Sequence, residues 1–487
     1  MSAKSIKKNY IYNLIYQMVI LLTPIITTPY LSRVLQPDGV GLHSIAYANA
    51  CYFISVVGLG TTTFGQREVA YHQDDKYGRS KAFWTVMSVR AVTFILCSVV
   101  YFIYAFNIEG YRDIALVQYI YVIYAAMDIA WFFQGMEEFK KLVLRNLLIK
   151  VVYLVFIFTC IKSKEDLCLY AFGLAAINLA GAVSMWFYLP KYIGKVAIKE
   201  LQPWKSMPTI MQLFIPAIAM QVYTILDKTM LGIYTATDHE NGYYEEAEHL
   251  VRMCIGIVTA MTAVIVPRMA YVFSKGDEEG VKKYLKKSMR FAWFMGMPVT
   301  VGIALISNIL VPWFLGDGYE KCIPLMAVFS ILVLVVGFSN VTGASFLVPT
   351  GRQNIYTISV VMGAVLNFCL NLILIPRFLS VGATIASITA EASIMIFQLI
   401  YIVYKTKIIK WSDCFEGAWR YIIASIAMFA AGQLMEYYFL KSNIISTFVE
   451  IILCAGVYMG VLALLRDDFA VTTALTLVKR VIHKENK

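Results

Sequence analysis

Residues 82–106 read AFWTVMSVRAVTFILCSVVYFIYAF, and Arg90 carries the only charge in that run. A helix rises 1.5 Å per residue, so about twenty apolar residues cross the ~30 Å hydrocarbon core of a membrane. Such runs recur from end to end of the 487 residues, of which 59% are hydrophobic and 15% are charged. A typical soluble protein carries about 25% charged residues. The pattern therefore predicts an all-α integral membrane protein, since barrel strands would alternate apolar and polar residues.

Polar segments divide these runs into fourteen predicted membrane helices. The positive-inside rule tests that number, because one miscounted helix would exchange the sides of every later loop. With a cytoplasmic N-terminus, the inner segments carry 27 basic residues and the outer loops carry 6. This bias predicts that both termini are cytoplasmic. Lys4, Lys7 and Lys8 precede an apolar stretch that is too long for a cleaved signal and lacks a small-x-small cleavage site, so it is predicted to be the first membrane helix. The predicted spans are 9–34, 40–62, 82–106, 111–136, 141–161, 167–189, 208–234, 247–271, 288–312, 322–346, 353–376, 382–404, 418–440 and 444–465.

Short matches recur about 200 residues apart and keep one register, which predicts that helices 1–6 and 7–12 are two copies of one six-helix unit. Because six is even, both copies begin on the same side of the membrane, and such parallel repeats typically enclose a cavity. The predicted lobes are residues 1–205 and 206–410, and residues 411–487 hold helices 13 and 14 and a cytoplasmic tail. The matched pairs are Gly41 with Gly242, Arg67 with Arg268, and Arg90 with Arg290. Pro24 corresponds to Pro216 if the outer loop after the seventh helix holds about nine extra residues.

The sequence shows no pattern of catalysis, of a cofactor or of a metal site. Its nine cysteines form no C-x-x-C pair, its five histidines lack metal-ligand spacing, and there is no P-loop. The net charge of +11 is explained by basic residues in the inner loops, so no nucleic-acid partner is expected. The sequence predicts a transporter rather than an enzyme.

Four segments carry a resemblance to a known family. They are TPIITTPYLSRVLQPDGVG at Thr23–Gly41, WFFQGMEEFKKLVLRN at Trp131–Asn146, LDKTMLG at Leu226–Gly232, and LNFCLNLILIPRFLSVGATIAS at Leu366–Ser387, which precedes Glu391. The chain resembles the polysaccharide-transporter family of the multidrug/oligosaccharidyl-lipid/polysaccharide exporter superfamily, whose members include O-antigen and capsule repeat-unit flippases.

The resemblance implies a MATE-like fold of two six-helix lobes and two extra helices. It implies a lipid-linked oligosaccharide as cargo, usually on undecaprenyl diphosphate, which passes from the inner to the outer leaflet of the bacterial cytoplasmic membrane. Partners expected on this basis are a polysaccharide polymerase and a chain-length regulator, besides membrane lipid.

Ionisable residues inside membrane spans are energetically costly, so they are the first functional candidates. An anionic diphosphate cargo needs cations, and Arg90 and Lys150 lie roughly 12–14 Å from the cytoplasmic helix ends, too deep for snorkelling to explain easily. The other cationic candidates lie nearer the ends of spans or next to an acidic residue in the sequence. Near the ends of spans, snorkelling to the membrane surface is the alternative to cargo binding. These candidates are Arg33, Lys228, Arg252 and Arg290.

Three carboxylates within spans are candidates for coupling transport to Na⁺ or H⁺. They are Asp128, Asp227 and Glu391, and the alternative for Asp128 and Glu391 is a buried pair with Lys or Arg. Pro24 and Pro216 predict helix kinks, which would serve as hinges for alternating access or as static packing kinks.

Three other functions compete with a repeat-unit flippase. A cation-coupled multidrug exporter of the same superfamily should favour acidic cavity residues, whereas basic residues within the spans outnumber acidic ones here. A lipid II-type flippase also carries an undecaprenyl diphosphate, so the helix count fits it equally well. A polysaccharide polymerase is disfavoured by the internal repeat and by the lack of a large outer loop.

Overall fold

The computed structural model describes residues 3–235, 239–438 and 441–470, apart from the side chains of residues 3–18, 20–21, 216–217, 219–220, 222–223 and 263. This part of the chain is helical and holds no β-strand, as the apolar runs predict. Its α-helices are α1 (Ala3–Gly58), α2 (Thr61–Tyr71), α3 (Lys76–Asn107), α4 (Arg112–Met127), α5 (Ala130–Gly135), α6 (Phe139–Cys160), α7 (Leu167–Trp186), α8 (Pro203–Tyr234), α9 (His239–Thr259), α10 (Thr262–Ser274), α11 (Glu278–Phe314), α12 (Cys322–Phe329), α13 (Ile331–Thr342), α14 (Gln353–Ile400), α15 (Trp411–Cys414), α16 (Ala418–Tyr438) and α17 (Ile444–Leu464).

Nine helical segments within these described residues are long and apolar enough to cross a membrane. A tenth is present if α9 and α10, which are bent by 42° at a short break, form one span. The prediction of an all-α, multi-pass membrane protein is confirmed, while the number fourteen stays a prediction.

Two of the long helices are each interrupted by one residue with non-helical backbone angles. Gln36 in α1 has φ 58° and ψ 172°, and Leu379 in α14 has φ 52° and ψ −129°. Gln36 precedes Pro37, and a proline ring disfavours the helical conformation in the residue before it. Both interruptions fall between spans that the sequence predicts as separate, so α1 and α14 each contain two helical segments.

Shorter breaks inside predicted spans recur at the displacement of the sequence repeat. The break between α1 and α2 begins at Leu59, and the break between α9 and α10 begins at Ala260, a displacement of 201 residues. The corresponding breaks after α4 and α12 begin at Asp128 and Ser330, a displacement of 202 residues. These positions agree with two copies of one unit, because the sequence matches are displaced by about 200 residues.

Packing divides the chain into two units, residues 1–242 and residues 243–487. Helix α8 belongs to the first unit, where it packs against α1. Gly232 permits this approach, since a Cβ at that position would lie 3.1 Å from the Ile45 side chain. The sequence repeat predicts α8 as the first helix of the second lobe, and the lobe boundaries at 205 and 410 stay a prediction about the repeat.

An aromatic core in the first unit holds the short helix α5 in place. Phe83 of α3 and Trp131 and Phe132 of α5 are fully buried. The ring of Phe83 stacks on Trp131 with centroids 5.7 Å apart and meets Phe132 edge-on at 5.5 Å. A six-residue helix is not stable alone in water, so these tertiary contacts fix the position of α5 and of the break before it.

Replacing Gly135 with alanine is expected to destabilise the protein by about 1–3 kcal/mol, the usual cost of overpacking. The new Cβ would lie 2.7 Å from the backbone oxygen of Gln66, so α5 and α2 would have to separate. The same substitution at Gly456 in α17 meets no atom within 4 Å and is the matched control. Thermal melting of the purified variants checks this, and equal melting temperatures would contradict the close approach of α2 and α5.

Candidate functional site

Arg90 lies near the middle of α3 and is 2% exposed. Its guanidinium donates to the hydroxyls of Thr61 at 2.8 Å and Thr62 at 2.9 Å. It also donates to the backbone oxygens of Asp128 at 2.5 Å and Ala125 at 3.3 Å. Arg90 therefore fastens α3 to the start of α2 and to the end of α4, and the surrounding protein already satisfies this buried cation.

Helix breaks supply the acceptors that Arg90 uses. Thr61 is the first residue of α2 after Gly60, whose φ is 68°, and Asp128 ends α4 with an extended backbone. At the end of a helix the last carbonyl oxygens have no partner within the helix, so a side chain can donate to them. The ring of Trp131 lies 5.8 Å from the guanidinium carbon and adds a cation–π contact.

The Asp128 carboxylate pairs with Arg145 of α6, with 3.3 Å between Oδ1 and Nη1. Arg145 also donates to the side-chain oxygen of Asn146 at 2.9 and 3.1 Å. The alternative stated for Asp128, a pair with a basic residue, is the arrangement in the structure. A role of Asp128 in ion coupling stays a prediction.

Lys150 occupies the middle of α6, eleven residues after Phe139 and ten residues before Cys160. It is half-buried, and its Nζ lies 5.5 Å from the centroid of the Tyr153 ring. Among the residues that the structure describes, Lys150 has no carboxylate partner. A membrane-embedded cation without an anion is the arrangement expected where a ligand supplies the negative charge.

An aromatic and polar surface occupies the helices around α6, and we call it the tyrosine surface: His43, Tyr47, Tyr121, Tyr124, Tyr153 and Tyr170. His43 lies 4.9 Å from Tyr170 between ring centroids, and Tyr47 lies 5.1 Å from Tyr121. Tyr153 and Tyr170 belong to one apolar cluster with α1, α6 and α7. Tyr47 is 40% exposed, so the tyrosine surface is partly open.

Lys150 and the tyrosine surface together match the two chemistries of a glycan joined to a diphosphate. An ammonium group binds phosphate oxygens through three rotatable donors. Tyrosine rings present an apolar face together with a hydroxyl, which suits the alternating apolar and polar faces of a sugar. Both features lie in the first unit, and the described residues hold no group of three or more His, Cys, Asp or Glu that could bind a metal ion.

The remaining candidates of the first unit lie on α1 and α8 rather than on α6. Arg33 is exposed and donates to the backbone oxygen four residues earlier at 2.7 Å. Asp227 is buried in α8 and Lys228 follows it with a partly buried side chain. Pro24 lies within α1, and Pro216 lies within α8 with its side chain outside the described residues. Their roles in binding, coupling and kinking stay predictions.

In the second unit, Arg252 and Glu391 are brought together. The Nε of Arg252 donates to Glu248 at 2.7 Å, and the charge of Glu391 acts on the same guanidinium. The ion-pair alternative stated for Glu391 stays a prediction, because the 2.7 Å contact joins Arg252 to Glu248. Whether Arg252 also binds cargo stays a prediction.

Arg290 lies in a separate ion-pair network of the second unit. It donates to Asp467 at 2.8 Å and to the Tyr421 hydroxyl at 3.0 Å, and Arg420 contacts the same carboxylate at 3.4 Å. Burial alone would raise the pKa of Asp467, but hydrogen bonds from the Ala470 N–H and from Arg290 hold that pKa below its usual value. The network binds α11 to the segment after α17, and cargo binding by Arg290 stays a prediction.

Sequence reasoning missed a buried pair of carboxyl groups in the last two helices. Glu450 of α17 is 2% exposed, and its carboxyl group interacts electrostatically with that of Glu436 of α16. Asn308 of α11 donates to the other side of Glu436 at 3.3 Å. The sequence does contain a feature that points to Glu450, because it is the only charged residue of the predicted span 444–465.

The tyrosine surface was also missed as a unit. Tyr101, Tyr121 and Tyr124 belong to adjacent predicted spans, but Tyr101 is fully buried and its hydroxyl donates to the backbone oxygen of Ala115 at 2.6 Å. His43 and Tyr47 lie on another helix far along the chain. Nothing in their spacing indicates that they meet Tyr121, so only the packing of α1 against α4 reveals the surface.

The sequence profile of the polysaccharide biosynthesis protein family matches residues 6–273 of this chain. The chain belongs to this family. Over 403 residues it is 23% identical to a protein of Escherichia coli (strain K12) named as an O-antigen transporter, covering 82% of this chain and 97% of the relative. The resemblance to the polysaccharide-transporter family is thereby confirmed.

Solved structures of related transporters share the fold of this family member. A lipid II flippase MurJ in an inward closed conformation superposes with a TM-score of 0.67 at 13% identity, covering 93% of this chain and 99% of that one. An inward-facing MATE family multidrug transporter gives 0.58 at 13% identity, covering 80% and 98%. At these identities the likeness shows the fold alone, and it confirms the predicted MATE-like fold.

Proposed function

We propose that this polysaccharide biosynthesis protein is a flippase for an undecaprenyl-diphosphate-linked oligosaccharide, an O-antigen or capsule repeat unit. The observation that carries the proposal is Lys150, a cation at the middle of a membrane helix that has no carboxylate partner among the described residues and lies beside the tyrosine surface. The name of the E. coli relative supports the same class of cargo.

In this mechanism Lys150 binds the diphosphate and the tyrosine surface contacts the sugars. The head group is then held inside the protein while it crosses the hydrocarbon, where its charge would otherwise be unsolvated. Arg90 and Arg145 act on the protein rather than on the cargo, because their partners are backbone oxygens and the Asp128 carboxylate. They keep the break between α4 and α5 in a fixed conformation beside the site.

The proposal places the protein in a bacterial cytoplasmic membrane with both termini in the cytoplasm, where basic loops are retained. Alternating access would carry the cargo from the inner to the outer leaflet, with Pro24 and Pro216 as hinges and Asp128, Asp227 or Glu391 as sites for Na⁺ or H⁺. A polymerase and a chain-length regulator would consume the delivered repeat units.

Lys150, which has no carboxylate partner in the described part of the chain, also separates this function from export of hydrophobic cations. A buried ammonium repels a cationic drug, and binding a charge of the same sign in a medium of low dielectric is strongly unfavourable. A lipid II-type cargo shares the diphosphate, so Lys150 suits it as well, and the two cargoes differ in the glycan.

Deletion of the gene in its host, followed by analysis of lipid-linked glycans in each leaflet, tests the proposal. We expect an undecaprenyl-linked oligosaccharide to accumulate on the cytoplasmic side while one surface polysaccharide is lost, and the chain expressed from a plasmid to restore both. If lipid II accumulated instead, lipid II would be the cargo. Unchanged surface glycans with increased sensitivity to cationic drugs would refute the flippase function.

A further inference from the structure

A groove of about 950 Å³ runs between α6 and α7 on the first unit. The residues that line each of its two walls are evenly spaced in the sequence. Leu144, Leu148 and Val152 line it from α6 at four-residue spacing, and Ala176, Ala180 and Ser184 line it from α7 at the same spacing. Residues four apart lie on one helix face, so large side chains on α6 stand opposite a recess of small side chains on α7. This difference in size creates the groove.

The groove is apolar along its length and basic at one end. Lys140, Lys141 and Arg145 line that end together with Glu138. Lys141 pairs with Glu138 at 3.4 Å, whereas Lys140 is exposed and forms no ion pair with any described residue. The opposite end, formed by Val152, carries no charged lining residue. The lining thus has a formal charge of +2 located at one end only.

Lipid can reach the groove from the side. Leu144 and Leu148 are 61% and 62% exposed, which is the exposure of side chains that face hydrocarbon. From Leu144 to Val152 the groove extends eight residues, or about 12 Å along the helix. That length is close to one leaflet of a bilayer whose core is ~30 Å thick.

We propose that this groove binds an anionic phospholipid, with its head group at Lys140 and Lys141 and one acyl chain along Ala176, Ala180 and Ser184. Basic pockets at the ends of membrane helices are suited to anionic head groups, and a zwitterionic head group lacks the net charge that this end selects. The groove is as long as an acyl chain in one leaflet and far shorter than an undecaprenyl chain. It is also separate from the cargo site, because Lys150 does not line it.

The bound lipid would act on the helix that carries Lys150. An acyl chain packed between α6 and α7 fills a recess that protein atoms leave empty, so it fixes the spacing of the two helices. Retention of phosphatidylglycerol by the full chain is therefore expected to raise its melting temperature relative to the protein in phosphatidylcholine alone.

Native mass spectrometry of the full chain, released from nanodiscs that contain phosphatidylglycerol and phosphatidylcholine, tests the proposal. We expect retained phosphatidylglycerol, and about 5-fold weaker retention for each lysine removed in Lys140→Gln and Lys141→Gln. The control pair Lys283→Gln and Lys287→Gln removes two exposed lysines from α11 without changing retention.

A second variant covers the case in which the lysine substitutions disturb the fold. Ala180→Trp fills the groove without removing a charge and is expected to abolish retention, whereas Val99→Trp at an exposed position of α3 is not. Equal retention of both lipids, or retention that survives both Ala180→Trp and the lysine substitutions, would overturn the proposal. If undecaprenyl phosphate displaced phosphatidylglycerol from the groove, the groove would bind the cargo lipid and the proposal would be wrong.

Discussion

Replacement of Arg90 by methionine is expected to destabilise the protein by about 2–5 kcal/mol, a large fraction of the stability of a typical protein. Methionine fills a similar volume but donates no hydrogen bond. The backbone oxygens of Asp128 and Ala125 would be left buried without their donor, and each such group costs about 1–3 kcal/mol. Thr61 and Thr62 would lose the same partner. Thermal melting of the purified variant in detergent measures the effect.

The lysine variant separates this structural role from cargo binding. Lys has the same charge as Arg, but a point-like ammonium cannot reach acceptors on both α2 and α4 as the planar guanidinium does. We therefore expect Arg90→Lys to melt nearly as low as Arg90→Met. Arg377→Met, at an exposed position of α14, is the control and should melt like the wild type. If Arg90→Met melts normally and only transport fails, Arg90 binds cargo and the structural assignment is wrong.

The fold was predictable from the sequence because the bilayer imposes one solution on long apolar runs. Helices alone satisfy their backbone groups in hydrocarbon, so each run identifies a helix without knowledge of its neighbours. The breaks at Leu59 and Asp128 were not predictable in this way. Each lies inside an apolar run, and each is held open by a tertiary partner, as Arg90 holds the end of α4.

The candidate site was predictable as a set of residues but not as an arrangement. Arg90 and Lys150 lie at similar depths in their predicted helices. The sequence gives this depth, but it does not show which residues surround each side chain. Their surroundings differ because the acceptors of Arg90 lie 28 to 38 residues away on other helices, while Lys150 lies 5.5 Å from the ring of Tyr153 on its own helix. Arg290 shows the same limit, since its carboxylate partner Asp467 lies 177 residues further along the chain.

Arg90 and Lys150 lie at similar depths in their helices, but their surroundings indicate different roles. A cation that the protein satisfies contributes stability, whereas a cation that the protein leaves unpaired lowers stability and is retained for another reason. We therefore expect substitution of Arg90 to lower the melting temperature, and substitution of Lys150 to leave it unchanged or raise it. This contrast tests the two roles more strictly than the loss of activity at either position alone.

Replacing Lys150 with glutamine is expected to slow transport by on the order of 10- to 100-fold, the value of one hydrogen bond to a charged group. The melting temperature should stay unchanged or rise, because this half-buried charge has no carboxylate partner among the described residues and its removal breaks no ion pair there. Restoration of surface glycan in the deletion host, with leaflet analysis of the lipid-linked intermediate, measures the transport rate.

Arg145→Gln on the same helix is the matched control for Lys150→Gln. It also removes one positive charge from α6, but it breaks the pair with Asp128, so its melting temperature should fall. A Lys150→Gln protein that melts normally yet leaves the intermediate in the cytoplasmic leaflet would assign the ammonium to the cargo. Normal transport by that variant would remove Lys150 from the mechanism, and the diphosphate would then need another cation, of which Arg252 is the most exposed candidate in the second unit.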